Sequence, residues 1–334
     1  MYRRLKGLKG KEFRWALKLF ASCIGLTFGL WLILLVFSTL IFHSPKPLAS
    51  ITVDVLSLVV ERVITLENRV GLWMAIFILN TVVVIVASTF SAFLLLTLSL
   101  EIHDLKYRMR HPRYNIIAKV MDKLGSVLIW KPLFLIFKKL DSSFKKIHYS
   151  HPLNDSTQGI WRFCGYSNRE FRNIFYIFPY MVPAITAIVN GIVIGMLLAV
   201  HIFMGAYNGL LIAGLPGLTA GMFINFISFL CYTMPHGILE LYAFLTAIAL
   251  GRRFALHYSN EIFERRLLLN HRLEELTKDV QYLTNMIKQF LKSRTVLISL
   301  AFIISLLFIA AYIETYITAN IAENVLTFLI DTLF

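Results

Sequence analysis

Charged residues are scarce in this chain. Asp, Glu, Lys and Arg make up 16% of its 334 residues, whereas a soluble domain carries about 25%. Hydrophobic residues account for 57%, which is more apolar surface than one soluble core can bury. The shortage of charge therefore excludes an ordinary soluble protein and favours an integral membrane protein.

Cysteines are also few, and the sequence signatures of common enzymes are absent. Cys23, Cys164 and Cys231 lack the C-x-x-C spacing of redox or zinc sites, which indicates structural roles. The sequence contains no H-E-x-x-H zinc motif, no G-x-S-x-G motif, no Walker loop and no dinucleotide-binding fingerprint. We therefore expect a protein that is not an enzyme and has no cofactor and no metal ion.

Four long stretches contain no Asp, Glu, Lys or Arg. They cover 19–45, 70–100, 173–239 and 295–313. Since a helix needs about 20 apolar residues to cross the hydrocarbon core, the first, second and last stretches each supply one span, and the third supplies several. The expected fold is an all-α, polytopic transmembrane helix bundle with about five to six hydrophobic helices.

The positions of Lys and Arg predict the orientation in the cell membrane. Basic residues near span ends stay in the cytoplasm, so the basic N-terminal 18 residues predict a cytoplasmic N-terminus. The basic loop 101–172 and the basic segment 252–294 also read as cytoplasmic. After Arg294 the chain has acidic residues but no Lys or Arg, so its C-terminal end is expected outside.

These assignments require an even number of crossings between residues 173 and 251. Candidate helices at 180–202, 208–232 and 236–251 number three, so one of them is expected to enter and leave by the same face. A helix can break at membrane depth at two places, Pro216-Gly217 and Pro235-His236-Gly237. We favour 236–251 as the re-entrant or half-length helix.

The chain divides into five segments on these grounds. They are an N-terminal two-span hairpin (1–100), a basic cytoplasmic loop with an interfacial segment (101–172), a Gly-rich membrane core (173–255), a cytoplasmic amphipathic helix (256–294), and a last span with a short external tail (295–334). The interfacial segment, 127–137, is apolar but too short to span. It either lies on anionic lipid through its apolar and basic residues or is buried in a small cytoplasmic subdomain. The net charge of +14 sits in juxtamembrane loops, so we expect membrane lipid as its partner and not nucleic acid.

A heptad pattern marks the segment before the last span. Apolar residues recur there at strict 4-3 spacing, namely Leu269, Leu273, Leu276, Val280, Leu283, Ile287 and Phe290. The pattern predicts an amphipathic helix, and two partners for its seam stay open. The helix packs on the 101–172 loop of the same chain, or it forms a coiled coil with a second copy or another protein.

Small residues recur every four positions in the Gly-rich core. The series is Gly205, Gly209, Ala213, Gly217 and Gly221, with Gly251 further on. Such a face lets helix backbones approach closely, which is a main source of helix association in lipid. The face serves packing within the chain, a dimer contact or a permeation path. Polar Asn190, Asn208 and Asn225 are expected to link helices by hydrogen bonds.

The sharpest local motif is Pro235-His236-Gly237 followed by Glu240. Proline starts a helix in this interpretation, and His236 and Glu240 stand four residues apart on one face. Ionisable side chains within a membrane segment are costly and are candidates for function. This pair acts as a structural lock for the broken helix, as a docking point for a partner, or as an ion or proton site.

Two motifs together resemble the stage II sporulation protein M family of membrane proteins. The first is Asn208-Gly209-Leu210-Leu211 in a Gly-rich span, and the second is Pro235-His236-Gly237 with Glu240, leading to an Ala-rich span that ends at Gly251-Arg252. The resemblance implies a non-enzymatic membrane subunit. In spore-forming bacteria one member of that family holds cell-wall lytic enzymes at the membrane.

Two functions of different classes follow. The first is a membrane scaffold, a subunit of a membrane-associated complex whose protein partners or second copy dock on it, by resemblance in cell-envelope or membrane remodelling. The second is an ion- or proton-coupled channel or transporter that uses the intramembrane His/Glu pair.

Overall fold

The computed structural model describes residues 10–140, 163–164, 168–268 and 272–333, and every long regular element in those ranges is a helix. The all-α prediction is therefore confirmed. The α-helices in chain order are α1 (Gly10–Phe42), α2 (Lys46–Val70), α3 (Leu72–Leu95), α4 (Leu98–Arg110), α5 (Pro112–Gly125), α6 (Lys131–Leu140), α7 (Asn168–Glu264), α8 (Leu273–Leu291), α9 (Arg294–Ile313) and α10 (Ala319–Leu333).

Four helical stretches are long and apolar enough to cross a membrane. They are Gly10–Phe42, Leu72–Arg110, Ile177–Glu264 and Arg294–Leu329. These stretches agree with the predicted helical membrane bundle. The last one includes a π-helical segment, Glu314–Thr318, and α10 continues the helix to Leu333, so the region expected to form a short tail is helical.

The longest helix, α7, folds back on itself at Ala213 and Gly214. Within α7 the backbone leaves helical geometry at these two residues, and Gly214 has a φ of +64°. Glycine adopts this φ without steric cost, and Pro216 follows in the first turn of the next helix, where its missing N–H is not needed. The two arms, 168–212 and 215–264, raise the number of long apolar helical segments from four to five.

The structure corrects the half-length helix expected at 236–251. The backbone is helical through Pro235, and the second arm continues to Glu264, about 75 Å at 1.5 Å per residue. Proline in a membrane helix removes one backbone hydrogen bond without ending the helix when neighbouring groups compensate. The two arms provide two long apolar helical segments between 173 and 251, which is an even number.

Glycine-to-glycine contacts close the α7 hairpin. A Cβ on Gly209 would overlap the carbonyl oxygen of Gly217, and a Cβ on Gly205 would overlap that of Gly221. Only hydrogen fits at these four positions, so the two backbones touch directly. The amide of Asn225 adds a cross-link by donating to the His201 carbonyl oxygen at 2.9 Å. The small-residue series therefore packs within the chain.

The described residues fall into two compact units. The first contains residues from 1–12, 86–184 and 248–298, and the second contains 13–85, 185–247 and 299–334. The first unit holds α4, α5, α6 and α8, together with both ends of α7. Gly251 belongs to this unit, where a Cβ would overlap the Ala87 carbonyl oxygen, so the α7 backbone lies close to α3 at this point.

The heptad seam of α8 is used inside the first unit. Its seam residues Leu276, Val280, Leu283, Ile287 and Phe290 are buried, α8 packs on α4, and the ring of Phe290 lies 4.6 Å from that of Phe254. Leu273 is half-buried, and Leu269 lies outside the described residues. The structure therefore supports packing within the chain, the first of the two open alternatives. The helix starts at Leu273, because residues 256–264 belong to α7.

A buried ion cluster joins α4 to α5 in the same unit. Arg108, whose side chain is 9% exposed, contacts Asp104 at 2.5 Å and Asp122 at 2.6 Å. The hydroxyl of Tyr114 donates to the second oxygen of Asp104 at 2.7 Å. The basic composition of the loop did not predict this cluster.

The interfacial segment 127–137 is helical and largely exposed. It comprises a π-helical stretch, Ser126–Trp130, and most of α6. Leu128 is 70% exposed and Leu135 60%, while Phe137 is buried. An apolar face open to the surroundings favours the interfacial alternative over burial in a subdomain.

Candidate functional site

The Pro235-His236-Gly237 motif borders a cavity of about 240 Å³ in the second unit. Its walls come from α1, α3, both arms of α7 and α9. The polar lining residues are Asn80, Asn190, Thr233, His236 and Glu240, and the others are Phe20, Val83, Val84, Ile194, Gly237, Leu241, Phe244 and Leu307. A few polar groups converge in an apolar pocket, which is the usual form of a binding site.

Glu240 is held by an amide from α3. The Asn80 Nδ2 atom donates to Glu240 Oε1 at 2.5 Å. Asn80 lies within the charge-free stretch 70–100, where an unpaired amide would be costly. The bond therefore fixes the carboxylate and at the same time ties α3 to the second arm of α7.

His236 is held by the last membrane helix. Its Nδ1 atom lies 3.2 Å from Thr318 Oγ1, and the same hydroxyl donates to the Ile313 carbonyl oxygen at 3.1 Å. A hydroxyl has one proton to donate, so His236 Nδ1–H donates to Thr318. The other ring atom, Nε2, faces Glu314 Oε2 at 4.0 Å.

The π-helical segment Glu314–Thr318 explains how one helix supplies both contacts to His236. Its wider turn changes which side chains lie above one another, and Thr318 bonds the carbonyl five residues earlier. Short π-helical segments are rare and occur often at functional sites. Here the segment places a carboxylate and a hydroxyl on the two sides of one imidazole ring.

Three ionisable side chains thus meet beside the cavity, and His236 and Glu240 line it. His236, Glu240 and Glu314 have potential ligand atoms that all lie within 4.8 Å of one another. The side chain of His236 is 12% exposed and that of Glu314 is 33% exposed. Two carboxylates and an imidazole in an apolar span can bind a cation, pass a proton, or lock helices together.

The cavity has open space beside Gly237. A Cβ built on this glycine meets nothing within 4 Å, so glycine is not required there for helix packing. Pro235 lies in the same turn of a continuous helix and does not begin one. His236 and Glu240, which are predicted to share one helix face, both line this cavity.

The first motif lies elsewhere in the second unit. Asn208 is exposed, while Gly209, together with Gly205, Gly217 and Gly221, closes the α7 hairpin. Asn190 lines the cavity but donates to Thr186 of its own helix at 2.9 Å. Of the three asparagines expected to link helices, Asn225 joins the two arms of α7 by donating to the His201 carbonyl oxygen.

Sequence reasoning missed Asn80, Glu314 and Thr318. Glu314 is the first charged residue after the apolar stretch 295–313, and Asn80 is an amide inside another apolar stretch. Both are polar residues within apolar spans, and this feature of the sequence is enough to mark them as candidate site residues. Their proximity to His236 depends on the packing of helices distant in sequence.

One known family matches this chain. The family described as Stage II sporulation protein M matches residues 153–319, half of the 334 residues. The matched region contains the glycine hairpin, the Pro235-His236-Gly237 motif, Glu314 and Thr318. A search of curated proteins and a search of solved structures found no match.

Proposed function

The chain belongs to the stage II sporulation protein M family, and from this membership we propose that it is a non-enzymatic membrane scaffold. It serves as a subunit of a membrane-associated complex in the cell envelope. The observation that carries the proposal is that hydrogen bonds of His236 and Glu240 connect three helices. Asn80 of α3 holds Glu240, and Thr318 at the end of the π-helical segment holds His236.

A scaffold needs a core whose helices keep one arrangement while partners bind. The glycine contacts of the α7 hairpin and the polar contacts of the cavity supply such a core. Interhelical hydrogen bonds in membrane proteins contribute about 0.6 kcal/mol each on average, so specificity of arrangement is their main effect. Loss of a single member therefore alters the geometry presented to partners more than it alters stability.

We predict that Glu240→Ala abolishes complex assembly. The substitution frees Asn80 and removes the link between α3 and the second arm. The measurement is crosslinking followed by affinity purification from membranes of the native host, with identification of the captured proteins. Glu323→Ala is the matched control, since Glu323 is an exposed carboxylate on α10. This variant should retain the partners of the wild type. If the Glu240 variant kept every partner, the motif would have no role in assembly.

The second candidate function is an ion- or proton-coupled channel or transporter. The cavity favours it, because Asn190, His236 and Glu240 provide polar groups within spanning helices. Capture of the chain alone in the purification would favour this function over the scaffold. Flux into liposomes that Glu240→Gln removes would then establish it.

We also propose that the N-terminus is cytoplasmic and the α7 turn external. Five long apolar segments, counted with the reversal at Ala213 and Gly214, take a chain that starts inside to an end outside. The basic segments 101–140 and 252–294 then fall on the cytoplasmic side, as the charge rule requires.

Labelling of single cysteines tests this orientation. In a background without Cys23, Cys164 and Cys231, Ile212→Cys at the 85% exposed turn should react with a membrane-impermeant maleimide in intact cells. Met121→Cys on α5, 63% exposed in the native residue, should react only after permeabilisation. The reverse pattern would invert the proposed orientation.

Anionic lipid is the partner that we propose for the 127–137 segment. The exposed Leu128 and Leu135 lie in helical elements that also carry Lys131 and Lys139. Apolar burial and attraction to anionic headgroups act together in such segments. The pairing of Lys131 with Glu170 at 3.3 Å leaves its side chain 58% exposed and open to headgroups.

A further inference from the structure

We propose that His236, Glu240 and Glu314 form a binding site for a divalent transition-metal ion. The site lies at the cavity of the second unit and does not depend on the scaffold function. Three observations carry the inference: the state of the imidazole, the fixing of one carboxylate by an amide, and the convergence of the three side chains.

The hydrogen bonds around His236 prepare its Nε2 atom as a ligand. The Thr318 hydroxyl donates its one proton in a hydrogen bond to the Ile313 carbonyl oxygen. It therefore accepts the hydrogen bond from His236 Nδ1–H. In that tautomer Nε2 carries a lone pair, and this lone pair faces Glu314. A histidine that ligates a metal usually donates its other ring N–H to such a partner, which fixes the ring orientation.

The carboxylates of Glu240 and Glu314 are also positioned to act as metal ligands. Asn80 occupies one oxygen of Glu240, which orients the group and leaves its second oxygen available as a ligand. Glu314 presents Oε2 toward His236 Nε2 at 4.0 Å. Since a lone pair and a carboxylate oxygen are both acceptors, neither can satisfy the other, whereas a cation between them stabilises both.

The distances suit an ion after a small closure of the side chains. The ligand atoms lie within 4.8 Å of one another, and ligands at the usual Zn²⁺ distances are about 3.4 Å apart in a tetrahedron. A rotamer change of Glu314, whose side chain is 33% exposed, can supply the difference while the Asn80 bond holds Glu240 in place. Three protein ligands leave a fourth position that opens on the cavity.

The ligand set indicates the class of metal. An imidazole with two carboxylates suits Zn²⁺ and neighbouring first-row ions, while Ca²⁺ and Mg²⁺ prefer oxygen ligands alone. Two carboxylates and a neutral imidazole also balance a charge of +2. A divalent ion therefore lowers the cost of placing two acids in an apolar span.

Metal titration of the purified full-length chain tests the site. Protein stripped with a chelator in detergent is titrated with Zn²⁺ by calorimetry, and with Co²⁺ by its visible absorption. We expect one ion per chain, with loss of binding in a Glu314→Gln variant and in a His236→Gln variant. Glu323→Gln should bind as the wild type does.

A milder variant separates ligation from folding. Thr318→Val keeps the size of the side chain but removes the acceptor for His236 Nδ1–H, so we expect about 10–100-fold weaker Zn²⁺ binding. Unfolding temperatures measured without metal show which variants are folded. With Zn²⁺, the wild type and Glu323→Gln should gain stability, whereas Glu314→Gln and His236→Gln should not. The proposal would be overturned if the wild type showed no saturable Zn²⁺ binding. It would also be overturned if folded Thr318→Val and Glu314→Gln bound Zn²⁺ with the same affinity as the wild type. Either result leaves the partner-capture experiment unaffected.

Discussion

Replacing Gly209 by leucine should abolish the folded protein. Even a Cβ at this position overlaps the carbonyl carbon and oxygen of Gly217 on the other arm of α7. These are backbone atoms, which no rotamer change can move. Added atoms in a packed interior cost about 1–3 kcal/mol when side chains can shift, and here we expect a larger loss. The measurement is the yield of monodisperse protein and its unfolding temperature in detergent.

Gly29 provides the matched control in the same unit. It also lies in a membrane helix, α1, but a Cβ built on it meets nothing within 4 Å. Gly29→Leu should therefore express and unfold like the wild type, because the added Cβ has no neighbouring atom to displace. Equal unfolding temperatures for the two variants would mean that the α7 hairpin is not closed by glycine contacts.

The all-α membrane fold could be predicted because its signal is physical and local. Long charge-free stretches have no stable place other than lipid or a protein-covered interior. The small-residue series was equally visible, since its four-residue period survives in the helix as one face. The contacts of Gly205 and Gly209 confirm that this face brings two helices together.

The position of the chain reversal could not be predicted with the same certainty. Pro216 and Pro235 each stand within two residues of a glycine in an apolar stretch, and proline does not by itself end a membrane helix. What differs is Gly214, whose φ of +64° makes the turn two residues before Pro216. A backbone dihedral is not visible in the sequence, so the two positions looked alike.

Two of the three ionisable residues in the cluster could be predicted, and the third could not. His236 and Glu240 stand four apart, so their shared face follows from the helix period. Glu314 joins them through tertiary packing and the π-helical segment, which no periodicity reveals.

The heptad seam of α8 shows a different limit. A stripe of apolar residues predicts that something covers it, but not whether the cover is the same chain or another. The structure places Leu276, Leu283 and Ile287 in the interior of the first unit. The pattern predicted a covered helix face, but the choice between the same chain and another protein as its cover required the position of α4.

Replacing Arg108 by leucine should destabilise the first unit by about 3–5 kcal/mol, because it leaves two partly buried carboxylates without their counter-charge. Asp104 and Asp122 both contact the Arg108 guanidinium, and their side chains are 29% and 15% exposed. Chemical denaturation in detergent, monitored by circular dichroism, measures the loss. Arg110→Leu is the control, since Arg110 is exposed on the same helix, and its stability should remain within about 0.5 kcal/mol of the wild type.

A compensating variant decides whether the loss comes from charge or from packing. If unpaired carboxylates cause it, combining Arg108→Leu with Asp104→Asn and Asp122→Asn should recover much of the stability, because buried ion clusters are often replaceable by neutral groups. If the three-residue variant is less stable than Arg108→Leu alone, the hydrogen bonds of Asp104 with Tyr114 and the shape of the cluster dominate. The cluster would then hold α4 against α5 by geometry, and α8, which packs on α4, would loosen with it.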